Sequence, residues 1–257
     1  MVQPIPLARR DVIAERLAAG HAVIAATLAL EFDVSEDAIR RDLRALAAEG
    51  RCRRVYGGAL PVAPQARPLL ARLDEARGRK DALARRAAET ILPGEFLFLD
   101  AGSTNLALVE HLPEDQDLTV ATNAVDIASA LLRRPDLRLI MVGGAVDATV
   151  GGCIDAAAVQ AVADFSIDRC FLGACTVHAE RGVGAALHAD ALFKRVLAGV
   201  SRHRVVLATN EKFAARSPHR ACAITDVGLL VVEHDAPADF LAPMQAIGVA
   251  IVNAPAA

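Results

Sequence analysis

The sequence predicts an α/β protein in two parts, a small arginine-rich helical unit followed by a larger domain built on a mostly parallel sheet. Three observations carry that reading. Residues 34–59 combine a capped, arginine-studded helix with a tight basic hairpin, and residues 60–68 hold three prolines. Beyond residue 95 short apolar runs alternate with alanine-rich helical stretches. With 257 residues, 54% hydrophobic and 23% charged, the chain is long enough to bury two cores.

In the front part, residues 10–20 and 24–32 are patterned as helices, and Asp33-Val34-Ser35 forms a short turn before a third helix over 36–49. Ser35 can cap that helix, Glu36 and Asp37 suit its positive end, and Gly50 supplies the left-handed residue that stops it. On a helical wheel Ile39, Leu43, Leu46 and Ala47 share one face, and Asp37, Arg40, Arg41, Arg44 and Ala48 share the other. After Gly50, Arg51, Arg53 and Arg54 lead into Tyr56-Gly57-Gly58, where paired glycines allow the tight turn of a wing. An arginine-rich face alone is most often a solvated surface. Two preceding helices and a following basic hairpin make it a helix-turn-helix layout instead, with six arginines against two acids from Arg40 to Arg54. Guanidinium groups so clustered attract phosphates and can pair with guanine edges in a major groove. The expected DNA-binding residues are Ser35, Arg40, Arg41, Arg44, Arg53, Arg54, Tyr56, Gly57 and Gly58.

Net charge hides an asymmetry. Residues 1–80 carry 14 basic and 10 acidic side chains, a balance of +4, whereas residues 81–257 carry 14 and 21, a balance of −7. Only the front part favours nucleic acid. No secretory signal and no apolar run of membrane-spanning length occurs, so no membrane partner is expected and the cytoplasm is the expected location. Five cysteines, odd in number and without Cys-x-x-Cys spacing, predict neither a metal site nor a disulfide framework, and no cofactor is expected.

The prolines mark a connector, so the expected boundaries are a DNA-binding domain at 1–60, a linker at 61–79 and an α/β domain at 80–257. Apolar runs at 96–100, 118–122, 137–142, 169–174, 204–209, 228–233 and 249–253 read as buried strands. Helices are expected at about 80–92, 104–112, 124–134, 155–164, 188–200 and 237–246. Continuous apolar strands separated by helices imply a Rossmann-like parallel sheet covered on both faces.

In such a domain ligands gather beyond the carboxyl ends of strands. The first run ends in Asp100-Ala101-Gly102-Ser103-Thr104, where glycine admits a ligand to the backbone and two hydroxyls open the next helix. That is a phosphate seat, although neither a P-loop nor a Gly-x-Gly-x-x-Gly fingerprint, and a plain capped turn would look similar. Thr122-Asn123 and Gly143-Gly144 occupy two further strand ends. The chain has 25 arginines but only three lysines, Lys80, Lys194 and Lys212, which marks these for roles needing a compact point charge.

These residues resemble the DeoR family of transcriptional regulators. The helix-turn-helix resemblance rests on Arg9, Ile13, Leu17, Phe32, Val34, Ser35, Ile39-Arg40-Arg41-Asp42-Leu43, Gly50, Arg54 and Gly57-Gly58-Ala59. Ala38 stands where the family usually has threonine, and Tyr56 where histidine is common. In the second part Arg72 with Lys80, Leu99 to Thr104, Thr122-Asn123, Gly143-Gly144, Phe171-Leu172-Gly173-Ala174, Asp190-Ala191 with Lys194-Arg195, and Lys212-Phe213 match the family's sensor motifs. Asp190 replaces the more usual glutamate, and Thr209-Asn210 stands where Asp-Ser is common. The resemblance implies a sensor fold related to ribose-phosphate isomerases, a phosphorylated-sugar effector, a double-stranded DNA operator and a homo-oligomer, dimeric or higher. The implied effector residues are Lys80, Asp100, Gly102, Ser103, Thr104, Thr122, Asn123, Gly143, Gly144, Asp190, Lys194 and Lys212. Two anions repel, so Asp100 is expected to orient a lysine or to accept from a sugar hydroxyl, and Asn123 suits a polyol. The expected function is a repressor of carbohydrate-metabolism genes and not an enzyme; the alternative is a sugar-phosphate isomerase-like enzyme with Asp100 or Asp190 as base.

Overall fold

The computed structural model describes residues 6–18, 21–49, 51–61 and 68–256. The chain divides into two compact units that part in sequence between Gln65 and Ala66. Gly50 and residues 62–67 of the connector lie outside the described residues.

The first unit runs α1 (Pro6–Ala18), β1 (Val23–Ile24), α2 (Ala25–Glu31), α3 (Glu36–Ala48), β2 (Cys52–Val55) and β3 (Gly58–Pro61). Ile13, Leu17, Leu28, Ile39, Leu43 and Leu46 form its core, so the apolar face of α3 turns inward. Ser35 caps α3, its Oγ accepting from the Ala38 N–H at 3.3 Å. Arg9 and Asp42, both in the helix-turn-helix motif, form a mostly buried ion pair at 2.7 Å that ties α1 to α3. Two expectations change. Ile24 lies in a strand and not in the helix, because β1 pairs antiparallel with β3 in a sheet ordered β1-β3-β2. The glycines at the wing also divide their work: Gly57 has φ +81° and sits with Tyr56 in a two-residue turn, whereas Gly58 lies within β3. A Cβ on Gly58 would stand 2.0 Å from the Val23 carbonyl oxygen, so close strand approach is what requires glycine there.

The second unit opens with α4 (Leu69–Leu73) and α5 (Arg77–Ala88), within residues that the proline pattern assigned to the linker. There follow β4 (Phe96–Leu99), α6 (Ser103–Leu108), β5 (Thr119–Thr122), α7 (Val125–Leu131), β6 (Arg138–Met141), the short antiparallel pair β7 (Val146–Asp147) and β8 (Gly152–Cys153), and α8 (Ala156–Ala163). Then come β9 (Ile167–Leu172), β10 (Thr176–His178), β11 (Gly182–Ala185), α9 (His188–Gly199), β12 (Ser201–Ala208), α10 (Glu211–Ala214), β13 (His219–Cys222), β14 (Leu229–Val232), α11 (Ala238–Ala246) and β15 (Ile251–Asn253). Every apolar run named from the sequence is a strand of one sheet, ordered β15-β14-β12-β9-β4-β5-β6 and parallel throughout. Phe98, Val120, Phe171, Val206 and Leu230 are fully buried within it. β10, β11 and β13 form a separate antiparallel sheet. Near the amino ends of β4 and β9, Arg169 donates to both Glu95 oxygens at 2.9 and 2.8 Å in a buried pair.

The chain winds from β4 to β5 and β6 on one side, then returns to place β9, β12, β14 and β15 on the other. Direction therefore reverses between β4 and β9, and the connections leaving their carboxyl ends diverge. In open α/β sheets such a switch point is where ligands bind.

Candidate functional site

In the first unit Arg40, Arg41, Arg44, Arg53 and Arg54 are all exposed, and Tyr56 stands fully exposed at the hairpin tip. They are not equivalent. Arg40 is held on its own helix by Glu36 at 2.6 Å and Asp37 at 3.3 Å, and Arg41 Nε donates to the Asp37 carbonyl at 3.4 Å. Arg44, Arg53 and Arg54 have no hydrogen-bond or ion-pair partner among the described residues, so these three guanidinium groups stand unengaged. Glu36 and Arg40 are one helical turn apart, a spacing at which such a pair forms, and the sequence reading did not use it.

In the second unit Asp100 ends β4 at the switch point and is wholly buried. Its Oδ2 accepts from the Gly173 N–H at 2.7 Å and lies 3.1 Å from Lys194 Nζ, while Oδ1 has no partner among the described residues. Lys194 also donates to Asp190 one helical turn earlier on α9. Asp100, Asp190 and Lys194 thus form a buried triad of two carboxylates and one ammonium. Burial pushes Asp100 up to about 6; the Lys194 charge opposes this and the Asp190 charge adds to it. Burial works against the Lys194 ammonium too, but two adjacent carboxylates outweigh it and raise its pKa.

Gly173, which ends the β9 run, fits between the turns as only glycine can: a Cβ there would stand 2.5 Å from the Ala101 carbonyl oxygen and 3.0 Å from Asp100 Oδ2. Asn105 Nδ2 donates to the carbonyls of Asp100 and Phe171, each at 2.8 Å, and so bridges the ends of β4 and β9. Sequence reasoning missed both as site residues. Gly173 lay within a recognised motif, but nothing in the residue order signalled Asn105.

Gly102, Ser103 and Thr104 form the turn into α6 as expected. A Cβ on Gly102 would meet nothing within 4 Å, so the space beside this backbone is open. The N–H groups of Gly102, Ser103 and Thr104, at the start of α6, have no acceptor among the described residues. Thr122 and Asn123 are fully buried braces of this turn. Thr122 Oγ1 donates to the Leu99 carbonyl at 2.6 Å; Asn123 Oδ1 accepts from the Ala101 N–H at 3.1 Å, and its Nδ2 donates to the Cys153 carbonyl at 3.0 Å. Both ends of the Asn123 carboxamide are thus engaged with backbone, one in the turn after β4 and one in β8. Gly144 packs against Asp155, where a Cβ would lie 2.4 Å from Oδ1, and its carbonyl accepts from Cys153 Sγ at 3.4 Å; Gly143 is exposed with open space beside it.

The remaining lysines are turned onto backbone carbonyls. Lys80 on α5 is buried and donates to the Arg72 carbonyl, and burial lowers its pKa. Lys212 on α10 is half-buried and donates to the Leu207 carbonyl at 2.9 Å. Burial brings it down to about 8; Arg72 and Lys80 push the same way, while Cys175 and Glu211 pull it back. Lys80, Lys212 and Arg72 therefore lie within electrostatic reach of one another, with Glu211 acting on both lysines, and Cys175 lies within electrostatic reach of both Lys194 and Lys212.

No helix among the described residues is long and apolar enough to cross a membrane. Residues 9–65 match the DeoR-like helix-turn-helix domain, and residues 75–234 match the DeoR C terminal sensor domain. The transcriptional repressor AccR of Agrobacterium fabrum is 32% identical over 205 residues, covering 79% of this chain and 80% of that protein. The glycerol-3-phosphate regulon repressor of Escherichia coli K12 is 31% identical over 183 residues, 71% of this chain and 73% of the relative. Among solved structures, ribose 5 phosphate isomerase A from Neisseria gonorrhoeae superposes with a TM-score of 0.41 at 16% identity, over 56% of each chain. With a sensor-domain match spanning more than half its length, preceded by the matching helix-turn-helix, the chain belongs to the DeoR family of transcriptional regulators.

Proposed function

We propose that the protein is a repressor that binds a double-stranded operator through α3 and the β2–β3 wing, and that a phosphorylated sugar or related metabolite controls it through the β4–β9 crevice. The observation that carries the reading is the contrast in charge placement. Arg40, Arg41 and Arg44 stand exposed on one helix and Arg53 and Arg54 on one hairpin of the first unit, while all three lysines of the chain are drawn into the second unit. On α3, Arg44 is the best-placed base or phosphate contact because no acid of its own helix competes for it, and Arg53 and Arg54 serve the wing. Ser35 sets the helix end, Gly57 and Gly58 set the wing, and Tyr56 offers an aromatic surface at its tip.

For the effector, unpaired N–H groups at Gly102, Ser103 and Thr104 and the Ser103 hydroxyl suit phosphate oxygens, with Lys80 and Lys212 neutralising the charge. The relative named for the glycerol-3-phosphate regulon supports a phosphorylated polyol or sugar as the ligand class. Asp100 is spent on Gly173 and Lys194 and is wholly buried. Such a carboxylate is a support of the crevice, which favours binding without turnover over proton abstraction from a carbon. The active assembly is a homo-oligomer, at least a dimer, since reading helices about 34 Å apart match a two-fold operator. Operator and metabolite both place its action in the cytoplasm.

The test is to select an operator from random duplexes with the full-length protein, then to measure its affinity across a panel of sugar phosphates. A phosphorylated member should change operator affinity by about 5- to 150-fold, the range of ordinary allosteric coupling. Failure to select any duplex would remove the DNA reading. Turnover of a panel member at an enzymatic rate would replace the sensor by an isomerase.

A further inference from the structure

β6 is one edge of the seven-stranded sheet, and among the described residues no strand pairs with its outer side. The Arg138 N–H donates to the Leu118 carbonyl at 2.9 Å and the Val142 N–H to the Thr122 carbonyl at 2.8 Å, both toward β5. Successive residues of a strand turn their N–H and C=O groups to opposite edges, so the backbone groups of Leu139 and Met141 face outward. The side chains leave both faces of this edge open as well: Ile140 on one face is 38% exposed and Met141 on the other 41%.

Proteins guard such an edge with proline, lysine or a bulge, because a free ladder recruits another strand. β6 has none of these guards. Its register with β5 is unbroken, and residues 139–146 include no charged residue and no proline. The opposite edge of the sheet differs: β15 is three residues long, its Ile251 and Val252 are partly buried, and Pro255 follows shortly after it.

We propose that β6 pairs antiparallel with β6 of a second copy of this chain about a two-fold axis at Ile140, joining the two seven-stranded sheets into one. The inference rests on the homo-oligomer proposed above and gives it a surface. In this register Leu139 of each copy faces Met141 of the other and exchanges both ladder bonds with it, so the outward N–H and C=O groups of the strand are all used. Ile140 meets its own counterpart as the non-hydrogen-bonded pair. Two features favour a second copy as the occupant. Facing side chains are then apolar against apolar on both faces of the sheet, Leu139 with Met141 and Ile140 with Ile140. Charge is also compatible: Arg138, the single charge on the strand, comes opposite Val142, already lies 3.6 Å from Asp117 of its own chain, and meets no like charge. The two Arg138 residues fall at opposite ends of the pairing, roughly 13 Å apart along the strands, beyond the roughly 8 Å over which exposed charges act at physiological salt. β5, the next strand in, ends at Thr122, which with Asn123 braces the turn at 102–104, so this pairing builds both proposed effector turns onto one sheet.

Sedimentation velocity and oxidative cross-linking of the full-length chain test this. The parent should sediment as a dimer or larger, and Ile140→Lys, which sets two ammonium groups against each other on the axis, should weaken the assembly about a hundredfold. Ile140→Cys should give a disulfide-linked dimer well above the background of the parent's own cysteines, because facing residues of a non-hydrogen-bonded pair lie about 4.5 Å apart, within disulfide reach. Leu139→Cys and Met141→Cys should give none above that background, since each stands diagonal to its own counterpart at about 7–8 Å, outside that reach. An assembly unmoved by Ile140→Lys, no cross-link in Ile140→Cys, or equal cross-linking in the Leu139→Cys and Met141→Cys variants overturns the β6 pairing and leaves the homo-oligomer standing. A parent that sediments as a monomer overturns both.

Discussion

Replacing Lys194 by methionine removes the ammonium that two buried carboxylates share. Lys194, Asp100 and Asp190 have side chains exposed by only 3%, 0% and 6%, so water cannot take over the lost contacts. Breaking a buried pair by deleting one partner costs about 3–5 kcal/mol. For a unit of this size that corresponds to a fall of roughly 6–20 °C in unfolding midpoint. The pH dependence gives a second reading. Asp100 titrates at about 6 in the folded protein against an ordinary 3.8, so between those values the native state holds a proton that the unfolded chain has released. Stability from this group is therefore present at low pH and declines as pH rises through about 6. Without Lys194 the proton is held to higher pH still, so the variant should regain midpoint on acidification over a wider range than the parent. Adding Asp190→Asn should restore part of the loss, since one repulsive charge is gone. Calorimetry or thermal circular dichroism across pH measures all three. A loss under about 1 kcal/mol, or a pH profile parallel to the parent's, would refute the triad as a charge-balanced unit.

Arg44→Ala should weaken operator binding by about 1–3 kcal/mol if the residue reads a base, or lower the salt slope by about 1 if it meets a phosphate, whereas Arg40→Ala should cost less because Glu36 and Asp37 already hold that side chain; equal losses in fluorescence anisotropy would contradict this. Phosphate binding should weaken as pH rises through about 8, where Lys212 loses its charge, with a slope of at most about tenfold per pH unit, and titration calorimetry showing a flat affinity would exclude Lys212 as a ligand. The same depressed value makes the native state release its proton before the unfolded chain does, so stability from Lys212 rises between about 8 and 10.5. Gly58→Ala should splay the wing, since its Cβ would stand 2.0 Å from the Val23 carbonyl oxygen, and full DNA affinity in that variant would show the hairpin to be dispensable. Gly173→Ala should force the β4 and β9 turns apart at a cost of about 1–3 kcal/mol, seen as a lower midpoint and lost phosphate binding; retention of both would mean that the crevice has more slack than described.

The sheet was legible because its inner strands, such as Phe96–Leu99 and Leu229–Val232, are buried and so appear as unbroken apolar runs, and the partly exposed edge strands Arg138–Met141 and Ile251–Asn253 keep enough apolar residues to show as well. The third helix was legible because Ser35, Glu36 and the Ile39, Leu43, Leu46 stripe are local signals. What escaped is non-local. Ile24 looked like the start of a helix because the strand that claims it, β3, lies more than thirty residues away. Thr122 and Asn123 were expected at the effector from their place at a strand end, and the order of residues gave no sign of the hydrogen bonds they make to Leu99 of β4, Ala101 of the turn after it and Cys153 of β8. Short strands such as β7, β8, β10 and β11 lack the length to show a period of two. Asp100 was expected to orient a lysine or accept from a sugar hydroxyl, on the ground that anions repel; its placement 3.1 Å from Lys194 is the first of these, although no residue order could say which lysine.

Asn105 has a consequence for the sensor role proposed above. One carboxamide, clamped to the backbone on both sides, works as a gauge block across the ends of two paired strands, so the spacing of the turns that leave them is set by the fold itself. On the proposed sugar-phosphate reading, discrimination among ligands then falls to side chains that are partly open to solvent, among them Ser103, Cys175 and Lys212. Exchanging those side chains should change ligand preference while the frame stays untouched.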